Sequence, residues 1–238
     1  MTHSRYASTL LAVLTVFWIG LAIEPVDRGD WLLENALLGV AVSVLVATYR
    51  WFPLSRISYT VIFLFLCLHS IGAHYTYAKV PYDEWWVSLA GAPFNELVGW
   101  ERNNFDRVVH FAYGLLLAYP IRELFLRIAG VRGFWGYFLP LDLTMSTSML
   151  FELIEWLVAE IFGGDLGVAY LGTQGDVWDA HRDMALASLG ALITMSATAF
   201  LNARSKRDFA EEWNESLRIK SAAPLNEGES NGSRTVTP

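Results

Sequence analysis

Six apolar runs, each close to the length of a bilayer crossing, dictate most of what this 238-residue chain can become. The first is "ASTLLAVLTVFWIGLAI" (7–23), and the others lie at about Trp31–Tyr49, Ile57–His74, Phe105–Tyr119, Phe134–Phe162 and Trp178–Ala203. Crossing about 30 Å of hydrocarbon takes roughly 20 helical residues, and backbone in lipid must satisfy its own hydrogen bonds. These runs therefore predict an all-α, polytopic membrane helix bundle of about six transmembrane helices. The fourth run is short, and its helix is expected to continue through "PIRELFLRIAG", with a kink at Pro120 and with Arg122 and Arg127 at the interface. Arg5 ahead of the first run imitates a secretory signal. The run ends, however, in "EPVDRGD" with no small-x-small cleavage site, so it reads as a span.

Composition agrees with this reading. With 54% hydrophobic and 17% charged residues, the chain is too apolar for an ordinary soluble domain. The net charge of -7 comes from acids gathered in particular loops and in the tail, and nucleic acid is not an expected partner. Cys67 is the single cysteine, which excludes an intrachain disulfide and a thiolate-rich metal cluster and leaves it a small packing residue.

The basic residues set the expected orientation. Arg5, Arg50, Arg56, Arg122, Arg127, Arg132, Arg204, Lys206 and Arg207 fall on one side, against mainly Arg28, Lys79 and Arg102 on the other. The positive-inside rule then places both termini in the cytoplasm. Residues 1–204 form the expected bundle, and 205–238 a polar, disordered cytoplasmic tail with one amphipathic turn near Phe209–Trp213. In the external loop, Tyr82, Trp85, Trp86 and Leu89 recur at near-helical spacing, as in a short helix lying among lipid headgroups.

Counting about 1.5 Å per helical residue puts His69 roughly 9 Å and His110 roughly 8 Å below the external ends of their spans. On the same scale, Glu155 and Glu152 lie roughly 10 and 15 Å below Phe162, and Asp183 about 8 Å into its helix. A charge at a helix centre costs at least about 2.5–3.5 kcal/mol, so groups at one depth are expected to face one another. Helical spacing supports this. Asp106 and His110 are four apart, as are Asp179 and Asp183, and Thr144, Ser148, Glu152 and Glu155 form one stripe. Below Asp183, the small residues Ala187, Gly190, Ala191 and Thr194 suit close helix packing.

Imidazoles and carboxylates in such a layer are ligands for a divalent metal: zinc, manganese or magnesium. The candidate metal ligands are His69, His74, Asp106, His110, Asp179 and Asp183, with Glu152 and Glu155 as catalytic candidates for general base. The expected function is a metal-dependent hydrolase of a lipid or lipid-linked substrate, with membrane lipids as neighbours. Two alternatives use the same residues: a proton- or cation-coupled transporter, and a non-catalytic scaffold in which Arg102, Arg107 and Arg182 neutralise the surface acids. Asp176 in "GTQGD" is expected to cap the sixth helix, Asp142 to pair with Arg132 or a neighbouring helix, and Glu34 to sit at the rim.

Four ordered segments, "HSIGAHYTY" (69–77), "ERNNFDRVVHFAYG" (101–114), "FELIEW" (151–156) and "LGTQGDVWDAHRDM" (171–184), resemble the YjdF-type bacterial inner-membrane proteins. The resemblance runs from about Leu10 to Ala203 and implies a multi-pass inner-membrane protein, without supplying an activity. The family pattern often has glutamine at the position of His181 and histidine at that of Asn104, which weakens His181 as a required ligand.

Overall fold

A computed structural model describes residues 1–164, 167, 171, 173–205 and 208–220. The described secondary structure is helical: α1 (His3–Leu21), α2 (Arg28–Thr48), α3 (Arg56–His74), α4 (Tyr82–Ala90), α5 (Phe94–Val98), α6 (Phe105–Ile128), α7 (Trp135–Phe162), α8 (Asp179–Ser205) and α9 (Phe209–Ser216). Four of these, α1, α2, α3 and α8, are long and apolar enough to cross a membrane. Helices α6 and α7 are longer still than a crossing requires, but they carry ionisable residues along their length. Lys206, Arg207 and the tail beyond Lys220 lie outside the described residues.

The helix ends follow local chemistry. Asp27 accepts from the N–H groups of Gly29 and Asp30 at the start of α2, and Ser55 does so from Ser58 at the start of α3. Helix α6 runs unbroken through Pro120 to Ile128. Arg122 departs from the interfacial position expected for it: it is buried, with its guanidinium 4.5 Å from the Tyr137 ring centroid.

Helix α6 is the centre of the arrangement, in contact with α3, α7 and α8, while α3 carries α1 and α2. The α6–α8 crossing is the most extensive helix pair. Its closeness has a clear cause: a Cβ on Gly114 would collide with the Ala187 carbonyl, and one on Gly190 with the backbone of Phe111 and Leu115. Backbones that meet this closely bring the side chains one turn further out, His110 and Asp183, toward each other. Outward, Val13, Val16, Ile19, Val40, Val44, Leu153 and Leu192 remain exposed, an apolar exterior suited to lipid.

The two ends of the bundle are distinct. At one, Arg56 donates to the Met1 carbonyl and Arg127 to the Pro53 carbonyl, and α9 seats Phe209 and Trp213 against Tyr137. There Arg132 meets Glu212, 3.6 Å away, and not Asp142 as the sequence suggested; Asp142 is exposed. At the other end, Val26 N–H bonds the His74 carbonyl, and Gln174 reaches the Asn103 carbonyl. Helix α4 presents Trp85, Trp86 and Leu89 outward beside that end.

Candidate functional site

The polar layer is built by α6, α7 and α8. Asp106 and His110 stand one turn apart on α6, Glu152 and Glu155 on α7, and Asp179 and Asp183 on α8. Two three-residue groupings result: His110, Glu152 and Asp183 each offer one ligand atom within 4.8 Å of the others, and Asp106, Asp179 and Asp183 do the same. Asp183 belongs to both, and it is only 4% exposed.

The inner and outer groupings differ in how they are satisfied. In the outer one, Asp179 accepts from Arg102 and Arg107, and Asp106 has Arg102 at 3.5 Å and the Arg107 backbone N–H at 2.8 Å. Asp176 binds Arg107 and Arg182, so the guanidinium groups of Arg102 and Arg107 tie the start of α6 to the start of α8, and that of Arg182 braces the turn before α8. In the inner one, His110 Nε2 lies 3.5 Å from Glu152 Oε1, and among the described residues neither Glu152 Oε1 nor Asp183 Oδ1 has a hydrogen-bond partner. An unpaired buried carboxylate oxygen is costly unless something neutralises it. The 3.5 Å separation matches the roughly 3.4 Å between ligand atoms of a tetrahedral ion with bonds near 2.1 Å. Glu155 interacts electrostatically with Glu152, Glu34 and Asp183.

Asp176 sits at the mouth in the turn before α8. It accepts the Trp178 N–H at 3.0 Å, much as its expected capping role requires. That bond, followed by Arg182 and Arg107, holds its carboxyl below the usual aspartate range. The turn is tight: Gln174 and Gly175 both take positive φ, 48° and 87°.

His69 and His74 do not join this layer. His69 lies at a comparable depth but on α3, where Nε2 meets the Glu34 carbonyl at 3.1 Å and Nδ1 meets the Tyr77 hydroxyl at 2.5 Å. A carbonyl can only accept, so Nε2 carries the proton, and Nδ1 accepts from Tyr77 in a neutral ring. Both nitrogens are thereby engaged. His74 Nδ1 donates to the Leu21 carbonyl at 2.7 Å, pinning α3 to the end of α1. Glu34, expected at the rim, is buried. His181 is exposed against Trp178, on a different face from Asp183. Depth alone grouped the histidines, because it carries no information on which helices are neighbours.

Tyr77 escaped the sequence reading. Its signal is Gly72, five residues earlier: a Cβ there would lie 2.6 Å from the Tyr77 ring, so the glycine makes room for the tyrosine to reach His69. Both Thr76 and Tyr77 hold positive φ, which turns the chain back over α3.

The fold and this buried histidine–carboxylate layer define a helical membrane protein with an ionisable site between three of its helices. Residues 6–204 match the DUF2238 family, described as predicted membrane proteins, and the chain belongs to that family. It is 37% identical over 203 residues to the inner membrane protein YjdF of Escherichia coli (strain K12), covering 85% of this chain and 93% of the relative. That relative and the chain's own apolar helices support an inner-membrane location. No solved structure matches the chain.

Proposed function

We propose that the protein is a metal-dependent hydrolase of a lipid or lipid-linked substrate, with one divalent ion held by His110, Glu152 and Asp183. The observation that carries this reading is the pair of buried, unpartnered carboxylate oxygens facing an imidazole at ligand spacing. Formal charge supports it as well. Asp106, Asp176, Asp179, Asp183, Glu152 and Glu155 outnumber Arg102, Arg107 and Arg182, and a divalent cation offsets most of the excess. A mixed nitrogen and oxygen donor set suits zinc or manganese. Glu155, beside the Glu152 ligand, is placed to take a proton from an ion-bound water and return it to the leaving group.

The reading includes six spans, with α6 and α7 crossing alongside the four apolar helices, and both termini in the cytoplasm. The clustering of Arg56, Arg127 and Arg132 at the end opposite the site supports that orientation. The site then opens toward the periplasmic leaflet, where a lipid headgroup can reach it.

Metal analysis of the purified full-length protein tests this. Wild type should hold about one equivalent, His110→Ala should hold none, and Glu155→Gln should keep the metal while losing turnover. An impermeant chelator should strip the ion from right-side-out vesicles and spare inside-out ones. Wild type that binds no zinc, manganese or magnesium, and conducts ions through the membrane, would transfer the same residues to a transport role.

A further inference from the structure

We infer that the ligand of this site carries a phosphate group, held between the ion at His110, Glu152 and Asp183 and the guanidinium of Arg107. The inference rests on the metal reading above and names its substrate class: a phosphate ester.

Unsatisfied groups of opposite kind stand close together at this site. Among the described residues, Asp183 Oδ1 and Glu152 Oε1 are buried acceptors without donors, and Arg107 Nε is a buried donor without an acceptor. Arg107 Nη2 lies 3.2 Å from Asp179, which offers a carboxylate oxygen within 4.8 Å of one on Asp183, so the guanidinium stands beside the carboxylates. A cation alone would satisfy the two acceptors and leave the donor stranded. An anion alone would do the reverse. A metal-bound phosphate supplies a cation to the carboxylates and an oxygen to the Nε–H at once, and guanidinium geometry suits phosphate oxygens.

The rest of the rim prepares Arg107 for this. Its terminal nitrogen, Nη2, is occupied by Asp176 and by Asp179, the latter at 3.2 Å, which fixes the plane of the group without using Nε. Side-chain exposure of 14% keeps competing water scarce. Around this pocket α7 turns Leu153, Ile154 and Leu157 outward, an apolar wall against which the chains of a lipid can lie. Hydrolysis there forms a bond from the water oxygen to phosphorus and breaks the bond from phosphorus to the ester oxygen. The electron pair leaves with that oxygen, which takes up the proton that Glu155 removed from water.

The decisive comparison uses full-length protein in a phosphate-free maltoside detergent, loaded with zinc or manganese. Thermal unfolding is followed with inorganic phosphate, with phosphatidic acid, and with diacylglycerol as the phosphate-free control. Arg107→Lys keeps the charge that pairs with Asp176 and Asp179 but lacks the Nε–H. Wild type should gain several degrees from a phosphate compound and nothing from diacylglycerol, and the lysine variant should need at least about fivefold more ligand while keeping its metal. A larger gain from phosphatidic acid than from inorganic phosphate identifies a lipid headgroup; an equal gain identifies the free ion or a product. Metal-loaded wild type indifferent to both phosphate compounds, or a lysine variant that responds like wild type, overturns this inference and leaves the metal centre standing. Wild type that takes up no metal overturns both.

Discussion

The α2–α3 side and the α6–α8 side of this bundle bury the same kinds of side chain to opposite ends. On the first, His69 is bonded at both ring nitrogens, and His74 is tied to the end of α1. On the second, His110 faces carboxylates whose buried oxygens, among the described residues, have no hydrogen-bond partner. The comparison teaches that burial of an ionisable group does not by itself mark a site. A satisfied histidine is a fastener between helices, whereas an unsatisfied cluster is held in place by the surrounding fold and stays costly unless something neutralises it.

If that distinction is right, substitutions on the two sides should trade stability and binding in opposite directions. His69→Ala removes the hydrogen bonds that the Tyr77 hydroxyl and the Glu34 carbonyl make to its ring and opens a cavity, and should cost about 2–5 kcal/mol with metal content unchanged. Asp183→Asn removes a buried charge and should abolish metal binding while leaving metal-free stability equal or higher. Thermal unfolding and metal analysis on both variants read this directly. Loss of metal from the His69 variant, with Asp183→Asn unaffected, would erase the comparison.

A smaller effect sharpens it. Gly114→Ala puts a methyl group against the Ala187 carbonyl and should cost about 1–3 kcal/mol, because α6 and α8 have to separate. Separation also widens the His110–Asp183 spacing, so metal affinity should fall with stability. Ala substitution at Gly39, where added bulk meets nothing, is the control: it should leave metal affinity unchanged and stability equal or higher, because alanine favours a helix over glycine. Equal behaviour of the two variants would show that the close crossing does not set the site.

The smallest effect is one of pH. Because Asp176 has its pKa depressed by folding, its contribution is fully present above the unfolded aspartate value near about 3.9 and is lost as pH falls through the lower folded value. Acid should therefore loosen the turn before α8 while the α3 contacts of His74 and the α6–α8 crossing persist. Protection of the Asp176 and Trp178 amides from hydrogen exchange, relative to unstructured chain at the same pH, should fall there at low pH in wild type, and an Asp176→Asn variant should show no such pH step. A step unchanged in the variant would assign the acid response to another group.

Helix positions were legible from the sequence because hydrocarbon imposes them: a run of about 20 apolar residues has few alternatives to a helix. The stripe on α7, with Thr144 and Ser148 buried below Glu152, and the shared faces of Asp106 with His110 and Asp179 with Asp183, follow from the helical repeat. Which faces meet does not follow from any repeat within one helix. The close α6–α8 crossing, set by Gly114 and Gly190, joins His110 to Asp183. The turn at Thr76 and Tyr77 gives His69 its second partner and draws it away from that layer. Periodicity along a chain is a local property that sequence carries in full. Pairing between helices depends on contacts among residues far apart in the chain, 42 for His110 with Glu152 and 73 for Gly114 with Ala187, and only the folded bundle decides them.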